Sequence, residues 1–320
     1  MRVALTGATG FIGSHVLTEL QEHGHEVTAL VRDDAHADTV AARGATPAVV
    51  DLYDRAAVVS LLSNADGAVH TASPGDDTSA DLDSAVVDAV IEAFGGTGKP
   101  YAHISGLWVY GDNSSISEES PFNPPPLVAW KEPIERRLLD AKDMRGVVVA
   151  SSVVYGDGGG AMPGLLLGSP RDDAGNLIML GTGQQHWSTV HVEDLADSFR
   201  RVLESDSARG YYIVGDGLNP TVAELTEAAA VAVGAPGAVA GSDDEARATT
   251  SLGSSCSISG PPRPRLGPSL VGIRPIRDSS TSSGPGAIAS RHETPTRRAP
   301  QGRAPRRPAR AGEHPAPARP

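Results

Sequence analysis

The chain has 320 residues and a net charge of −12, with 39% apolar residues but only 4% aromatics, so a single large α/β domain would need a core of Val, Leu, Ile and Ala. No apolar run reaches the roughly 18 residues of a transmembrane helix, and one cysteine, Cys256, excludes a disulfide-stapled secreted protein. Gly7, Gly10 and Gly13 interrupt the N-terminal apolar stretch where a signal peptide needs continuity, which reads as a cytoplasmic protein.

Arg2 to Thr6 reads as a buried strand, followed by a glycine-rich turn over Gly7 to Gly13. Phe11, Ile12, Val16, Leu17 and Leu20 form a helical stripe that Gly24 stops. Glu26 to Val31 and Ala48 to Val50 are the second and third strands, the latter ending at Asp51. A helix over Arg55 to Leu62 leads to a fourth strand, Gly67 to Thr71, and an amphipathic helix over Asp81 to Phe94 leads to a fifth, Tyr101 to Ser105. A helix over Pro126 to Ala141 precedes a sixth strand, Gly146 to Val154. Tyr211 to Asp216 reads as a strand and turn, and Thr221 to Val233 as a helix. Strands alternating with helices imply an α/β fold, a doubly wound parallel sheet of Rossmann type covered on both faces.

The chain changes character near residue 249. Residues 251–320 hold twelve Arg, no Lys and three acids, a balance of +9, so residues 1–250 carry −21. They also hold 13 of the 25 prolines and no aromatic residue. Such a segment buries too little apolar surface to offset its ordering entropy, so residues 249–320 are expected to be disordered. A flexible linker, a basic arm and an out-of-frame stretch all fit, and Arg over Lys by 24 to 3, as in a GC-rich gene, favours the last. The acidic body argues against nucleic acid as its partner.

Four motifs carry chemistry. In Thr6-Gly7-Ala8-Thr9-Gly10-Phe11-Ile12-Gly13, Gly7 allows a tight turn, Gly10 close approach of backbone to a pyrophosphate, and Gly13 close packing of helix on strand. The free amides and positive end of the helix then face phosphate. At the end of the second strand Val31 stands where an acid would read the ribose of NAD, and Arg32 beside it suits the 2′-phosphate of NADP. Asp33 keeps NAD open as the alternative. Asp51 and Leu52 are placed to flank an adenine, and Thr71, Ala72 and Ser73 offer small residues against a cofactor.

These blocks, with the segments Trp108 to Asp112 and His186 to Ala196, occur in the order of the extended short-chain dehydrogenase/reductases, the NAD-dependent epimerase/dehydratase type, which the chain resembles over residues 1–245. The resemblance implies a Rossmann domain binding NAD(P), with a small C-terminal lobe, mainly residues 156–190 and 215–245, closing over a small-molecule substrate. It also implies a Tyr and a Lys spaced YxxxK, plus a Ser or Thr. No YxxxK exists here. Lys131 is the counterpart of the family lysine, which holds the nicotinamide ribose; Leu127 then stands in the tyrosine's place, and Ser105 is the nearest hydroxyl to the Ser/Thr position, itself Gly106. Tyr110 and Tyr155 are better read as packed residues beside turns.

Two further departures concern substrate and type. Trp187 stands where nucleotide-sugar members often carry an Arg for the diphosphate, and an indole cannot neutralise phosphate. Ala150-Ser151 replaces the common Arg-Pro, as in atypical members. His186, His191, Glu193 and Asp194 fit no standard zinc spacing, and no metal is expected. The acids from Asp76 to Asp83 read as a loop and helix start. Three functions stay open: an atypical NAD(P)-dependent oxidoreductase or epimerase acting on a small carbonyl or hydroxyl substrate rather than a nucleotide sugar, a non-catalytic dinucleotide-binding sensor or scaffold, and a defective product with a lost lobe.

Overall fold

A computed structural model describes residues 1–241 and 256–258. All of them lie in the first of the chain's two units, Met1–Ile276. The elements run β1 (Arg2–Thr6), α1 (Phe11–Glu22), β2 (Glu26–Val31), α2 (Asp34–Ala41), β3 (Thr46–Val49), α3 (Arg55–Ser63), β4 (Gly67–His70), α4 (Ser79–Phe94) and β5 (Pro100–Gly106). After a 3-10 turn at Leu107–Tyr110 come β6 (Asn113–Ile116), α5 (Lys131–Leu139), β7 (Arg145–Ser151), β8 (Val153–Tyr155), α6 (Ala161–Leu167), β9 (Leu177–Ile178) and β10 (Thr189–His191). The rest are α7 (Val192–Glu204), β11 (Gly210–Val214), α8 (Val222–Ala232), β12 (Ala238–Val239) and β13 (Cys256–Ile258).

Seven strands form one sheet in the order β11-β7-β5-β4-β1-β2-β3, and every pairing in it is parallel. Strand side chains alternate between faces, and the core follows that alternation. Val3, Leu5, Val147 and Val149 pack with Val16, Leu17 and Leu20 of α1 and Leu195 and Phe199 of α7. Ala4, Ala68 and Val148 pack on the other face with Val58 of α3, Val86 and Val90 of α4 and Leu138 of α5. The sheet is therefore buried on both sides, which is why its strands read as nearly unbroken apolar runs. The chain reverses winding direction between β1 and β4, and a crevice opens there at the carboxyl ends of the strands.

A third cluster, built from Leu166, Leu177, Trp187, Val222, Ala229 and Ala230, joins α6, β9 and α8 into a small lobe. The expected disorder of residues 249–320 lies outside the described residues except at Cys256–Ile258. These three residues pair in parallel with β6 and so satisfy backbone groups along its edge.

Several boundaries differ from the sequence reading, for physical reasons. The helix over Pro126 to Ala141 shrinks to Lys131–Leu139: Pro133 has no N–H and is tolerated only in a first turn, so the helix starts just upstream of it. Pro125 to Lys131 form turns instead, closed by Val128 N–H to Pro125 O at 3.0 Å and Lys131 N–H to Val128 O at 3.0 Å. The single strand over Gly146 to Val154 splits at Ser152, whose N–H turns to Val214 O while that of Val153 turns to Ser188 O. Beyond that point β8 pairs with β10 rather than with the main sheet. The third strand begins at Thr46 and holds Pro47, which an edge strand accepts. Helix α2 has no apolar stripe to announce it, since Val40 is its only buried residue.

Candidate active site

The glycine turn forms the floor of a cleft of about 400 Å³ at the carboxyl ends of β1 to β4. Gly7 sits at φ +76°, and a Cβ there would lie 2.6 Å from the backbone of Thr71 and Ala72. Gly13 is tighter still: its Cβ would fall 2.0 Å from Gly7 O. Gly10 caps α1 with no side chain on the helix end, and the first turn of α1 carries no acid. The amides of Phe11, Ile12 and Gly13 are thus among the first-turn donors that an α-helix leaves without an internal acceptor. This combination of bare amides, positive helix end and absent Cβ atoms fits a diphosphate.

Of the residues singled out in the sequence, Gly7, Thr9, Gly10, Arg32, Asp51, Leu52, Thr71, Ala72 and Ser73 line this cleft. Phe11, Ile12 and Gly13 do not. The Phe11 ring packs edge-on against His15 and against Gly159, where a Cβ would lie 2.5 Å from it. Gly13 is buried against the turn. Any contribution of these three comes from their backbone amides. Arg32 stands on the rim, its side chain 79% exposed and 3.4 Å from Asp33. Asp33 does not reach the cleft lining: it caps α2 by accepting from His36 N–H at 2.9 Å. It also accepts from the His36 ring at 2.5 Å, and these bonds hold its carboxyl below the usual range. His36 and Tyr53 line the cleft and were not foreseen. Thr71 fixes its own loop by donating to Thr6 O at 2.8 Å.

A second cavity, about 230 Å³, lies beyond the ends of β5 and β7. Leu107, Trp108, Val109, Val128, Val153 and Trp187 give it apolar walls, and among the described residues Lys131 is the only charged one on its lining. Trp187 is completely buried. Lys131 therefore lines this cavity, while the glycine-floored cleft is lined without it. Its Nζ lies 3.1 Å from Asp83 Oδ2 and 4.3 Å from the centre of the Trp130 ring. Ser105 lines neither cavity. It is buried, and its hydroxyl lies by the Glu135 carboxyl. Burial raises that carboxyl above its usual range, although Ser105, Lys131 and Tyr211 pull the other way. Leu127, in the tyrosine's place, is 55% exposed and also off the lining.

Tyr110 is buried and packs edge-on against Phe122. The Tyr155 hydroxyl donates to Asp216 at 3.4 Å. His186 donates from Nδ1 to Asn219 O at 2.7 Å, and His191 caps α7 by accepting from Glu193 N–H. No group of three His, Cys, Asp or Glu suited to a metal occurs among the described residues. Nor is any helix among them long and apolar enough to cross a membrane.

Asp83 lies at a helix start, as the sequence suggests, but its burial is not evident from the run of acids around it. Asp76 is exposed in its loop, but Asp83 is buried on α4. The signal was present: Val86, Val87 and Val90, at its i+3, i+4 and i+7 positions, all face the core, so Asp83 shares their face.

The comparisons with known proteins agree with this architecture. The family model for the NAD dependent epimerase/dehydratase family matches residues 3–215, and the chain belongs to that family. It is 30% identical over 224 residues to the uncharacterized protein C2A9.02 of Schizosaccharomyces pombe, covering 66% of this chain and 74% of that one. It is 30% identical over 251 residues to the epimerase family protein SDR39U1 of Bos taurus, covering 74% and 82%. Among solved structures, UDP-glucose 4-epimerase of Thermus thermophilus in complex with NAD superposes with a TM-score of 0.63 at 22% identity. That superposition covers 86% of this chain and 97% of the other, and it is a likeness of fold.

Proposed function

We propose that this protein is an NAD(P)-dependent oxidoreductase or epimerase of the atypical short-chain type, acting on a small, largely apolar carbonyl or hydroxyl compound. The observation that carries the reading is the pairing of two cavities at the carboxyl edge of one sheet: a glycine-floored cleft suited to a dinucleotide, and an apolar cavity whose single charge is Lys131. The second cavity, at about 230 Å³, falls below the roughly 300 Å³ at which sites for drug-sized ligands begin. With one cation and a buried Trp187 where a diphosphate would need an Arg, it suits a compound smaller and less charged than a nucleotide sugar.

A bound nicotinamide coenzyme would supply the hydride. The chain's own part is to bind, orient and exclude water. First-turn amides of α1 hold the diphosphate, Asp51 and Leu52 flank the adenine end, Trp108 and Trp187 keep the substrate cavity dry, and Lys131 presents an ammonium to the substrate. Arg32 on the rim supports NADP over NAD, since a guanidinium suits a 2′-phosphate. Asp33, tied to His36 and Arg32, is left little freedom to read a ribose hydroxyl.

A fluorescence titration with NADPH and NADH, repeated on Arg32→Ala, tests the coenzyme assignment. The wild type should prefer NADPH, and the variant should lose about tenfold in NADPH affinity while keeping NADH. An unchanged preference would refute the role of Arg32. Turnover of a panel of small apolar ketones with NADPH tests the activity. A second reading, a dinucleotide-binding protein without turnover, is favoured by one observation, the exposed Leu127 in place of the family tyrosine. Tight NADPH binding with no turnover across the panel would select it.

A further inference from the structure

Beneath Lys131 lies a buried polar assembly that the proposed function leaves unused. Asp83 is its centre. His70 Nε2 lies 3.1 Å from Asp83 Oδ1, while His103 Nε2 and Lys131 Nζ lie 3.3 and 3.1 Å from Oδ2. The two imidazoles stack with centroids 5.0 Å apart. Each ring meets a hydroxyl at its other nitrogen: Thr6 Oγ1 at 2.7 Å from His70 Nδ1, and Tyr101 OH at 3.0 Å from His103 Nδ1.

A pattern of neutral rings is consistent with these contacts. An ionised carboxylate only accepts, so His70 donates to it from Nε2, and His103 turns its Nε2 toward the same carboxylate. Neutral rings then accept at Nδ1, from Thr6 and from Tyr101. Burial, against the pull of Asp83, pushes His103 down to about 4, so that ring is neutral at pH 7. Burial acts to raise the Asp83 carboxyl, but the imidazole donors outweigh it and hold the group well below its usual range. Asp83 is thus an anion, and the Lys131 ammonium lies in contact with it. A buried carboxylate stripped of its cation is costly, so the pair holds strongly.

Lys131 ends up partly exposed, with its side chain at 17%, on the wall of the apolar cavity. One N–H is directed to Asp83, and further donors of the ammonium remain at that wall. The other polar side chains there are committed or covered. Ser151 donates to Ser105 O at 3.1 Å, Ser188 donates to Asn219 Oδ1, and the Ser152 hydroxyl is buried.

We propose that Asp83 is a positioning residue that fixes the Lys131 ammonium on the wall of the substrate cavity, where it donates a hydrogen bond to the substrate's oxygen in place of the missing tyrosine. The donor role rests on the apolar-substrate reading above; the anchoring by Asp83 does not. His70 and His103 hold the carboxylate in register, and Thr6, at the end of β1, ties the same assembly to the glycine turn.

Two measurements on the full chain test this. Lys99, Lys131 and Lys142 are the only lysines, so brief acetic anhydride labelling, read by mass spectrometry, resolves each. Asp83→Asn should raise labelling of Lys131 about tenfold relative to Lys142, as expected when an opposite charge in contact is lost. Unchanged labelling overturns the anchoring. Calorimetric titration with cyclohexanone and with methylenecyclohexane, which share a shape and differ at the carbonyl oxygen, tests the donor. The wild type should bind the ketone about tenfold more tightly, the worth of a hydrogen bond from a charged group. Lys131→Met, which leaves both histidines in place, should bring the two affinities within about twofold. Asp83→Asn should do the same; if it fails to fold, Lys131→Met alone decides the donor role. A ketone preference kept by Lys131→Met overturns that role and leaves the apolar cavity standing. Failure of both probes to bind the wild type overturns the cavity reading and the donor together, while the labelling still decides the anchoring.

Discussion

Acid should destabilise this protein through His103 before it protonates the carboxylate that His103 supports. The ring is completely buried and is pushed down to about 4 by that burial, with Asp83 pulling it up only in part. In the unfolded chain the same ring titrates near 6.5. Because the native value is the lower one, the unfolded chain takes up the proton first as pH falls. The contribution is therefore whole above about pH 6.5 and drains away between there and about pH 4, at about 1.4 kcal/mol per pH unit. By pH 5 that amounts to about 2 kcal/mol, a sizeable share of the 5–15 kcal/mol typical of a domain. The assay is urea unfolding at pH 7.5 and pH 5, for the wild type and for His103→Gln. Gln keeps one donor and one acceptor for Asp83 and Tyr101 but does not titrate. The wild type should lose about 2 kcal/mol more than the variant between the two pH values, the remaining titrating groups being common to both. Equal losses would refute the buried neutral imidazole, and with it the protonation pattern assigned to the assembly.

Other outcomes follow from close contacts and from exposure. Gly13→Ala drives a Cβ to 2.0 Å from Gly7 O, so α1 must lift from β1; we expect about 1–3 kcal/mol of destabilisation in urea and loss of NADPH binding by titration. Trp187→Ala empties a fully buried site in the small lobe and should cost about 3–5 kcal/mol, again read from urea midpoints. Leu127→Tyr should not raise ketone turnover, because that position is exposed and off the cavity lining; a large gain would show that the turns before α5 can bring it inward.

The parts of the fold that show in the sequence are those whose burial is one-sided or complete. Helix α1 carries Val16, Leu17 and Leu20 on one face, and β1, β2 and β4 are short apolar runs between turn residues. Helix α2 did not show, because a helix burying only Val40 has no period to detect. The break at Ser152 did not show either: both halves are equally apolar, and the change is one of partners, from Val214 to Ser188. Such an exchange is a long-range property that a local pattern does not carry. Pro133 was legible in principle, since a proline inside a helical stretch sets where the first turn must fall.

The site divides along the same line. The glycine-floored cleft is made by backbone at fixed spacing, so three glycines, a strand end and a run of small residues reveal it. The second cavity is assembled from β5, β7, the turns before α5 and the small lobe, which are far apart in sequence. Lys131 could be found by its type but not by its neighbours, which come from elements distant in the chain. Asp83 shows how such a residue is recognised. A carboxylate on the apolar face of a helix is expensive unless donors surround it, so an acid sharing a face with three core valines calls for partners elsewhere in the chain. Here those partners are two imidazoles from neighbouring strands and one ammonium. Two imidazoles and an ammonium around one buried carboxylate exceed what packing alone requires. The surplus is the ammonium, the member of the set that also reaches the cavity, and that is the reason to look for the function of Asp83 in what it does to Lys131.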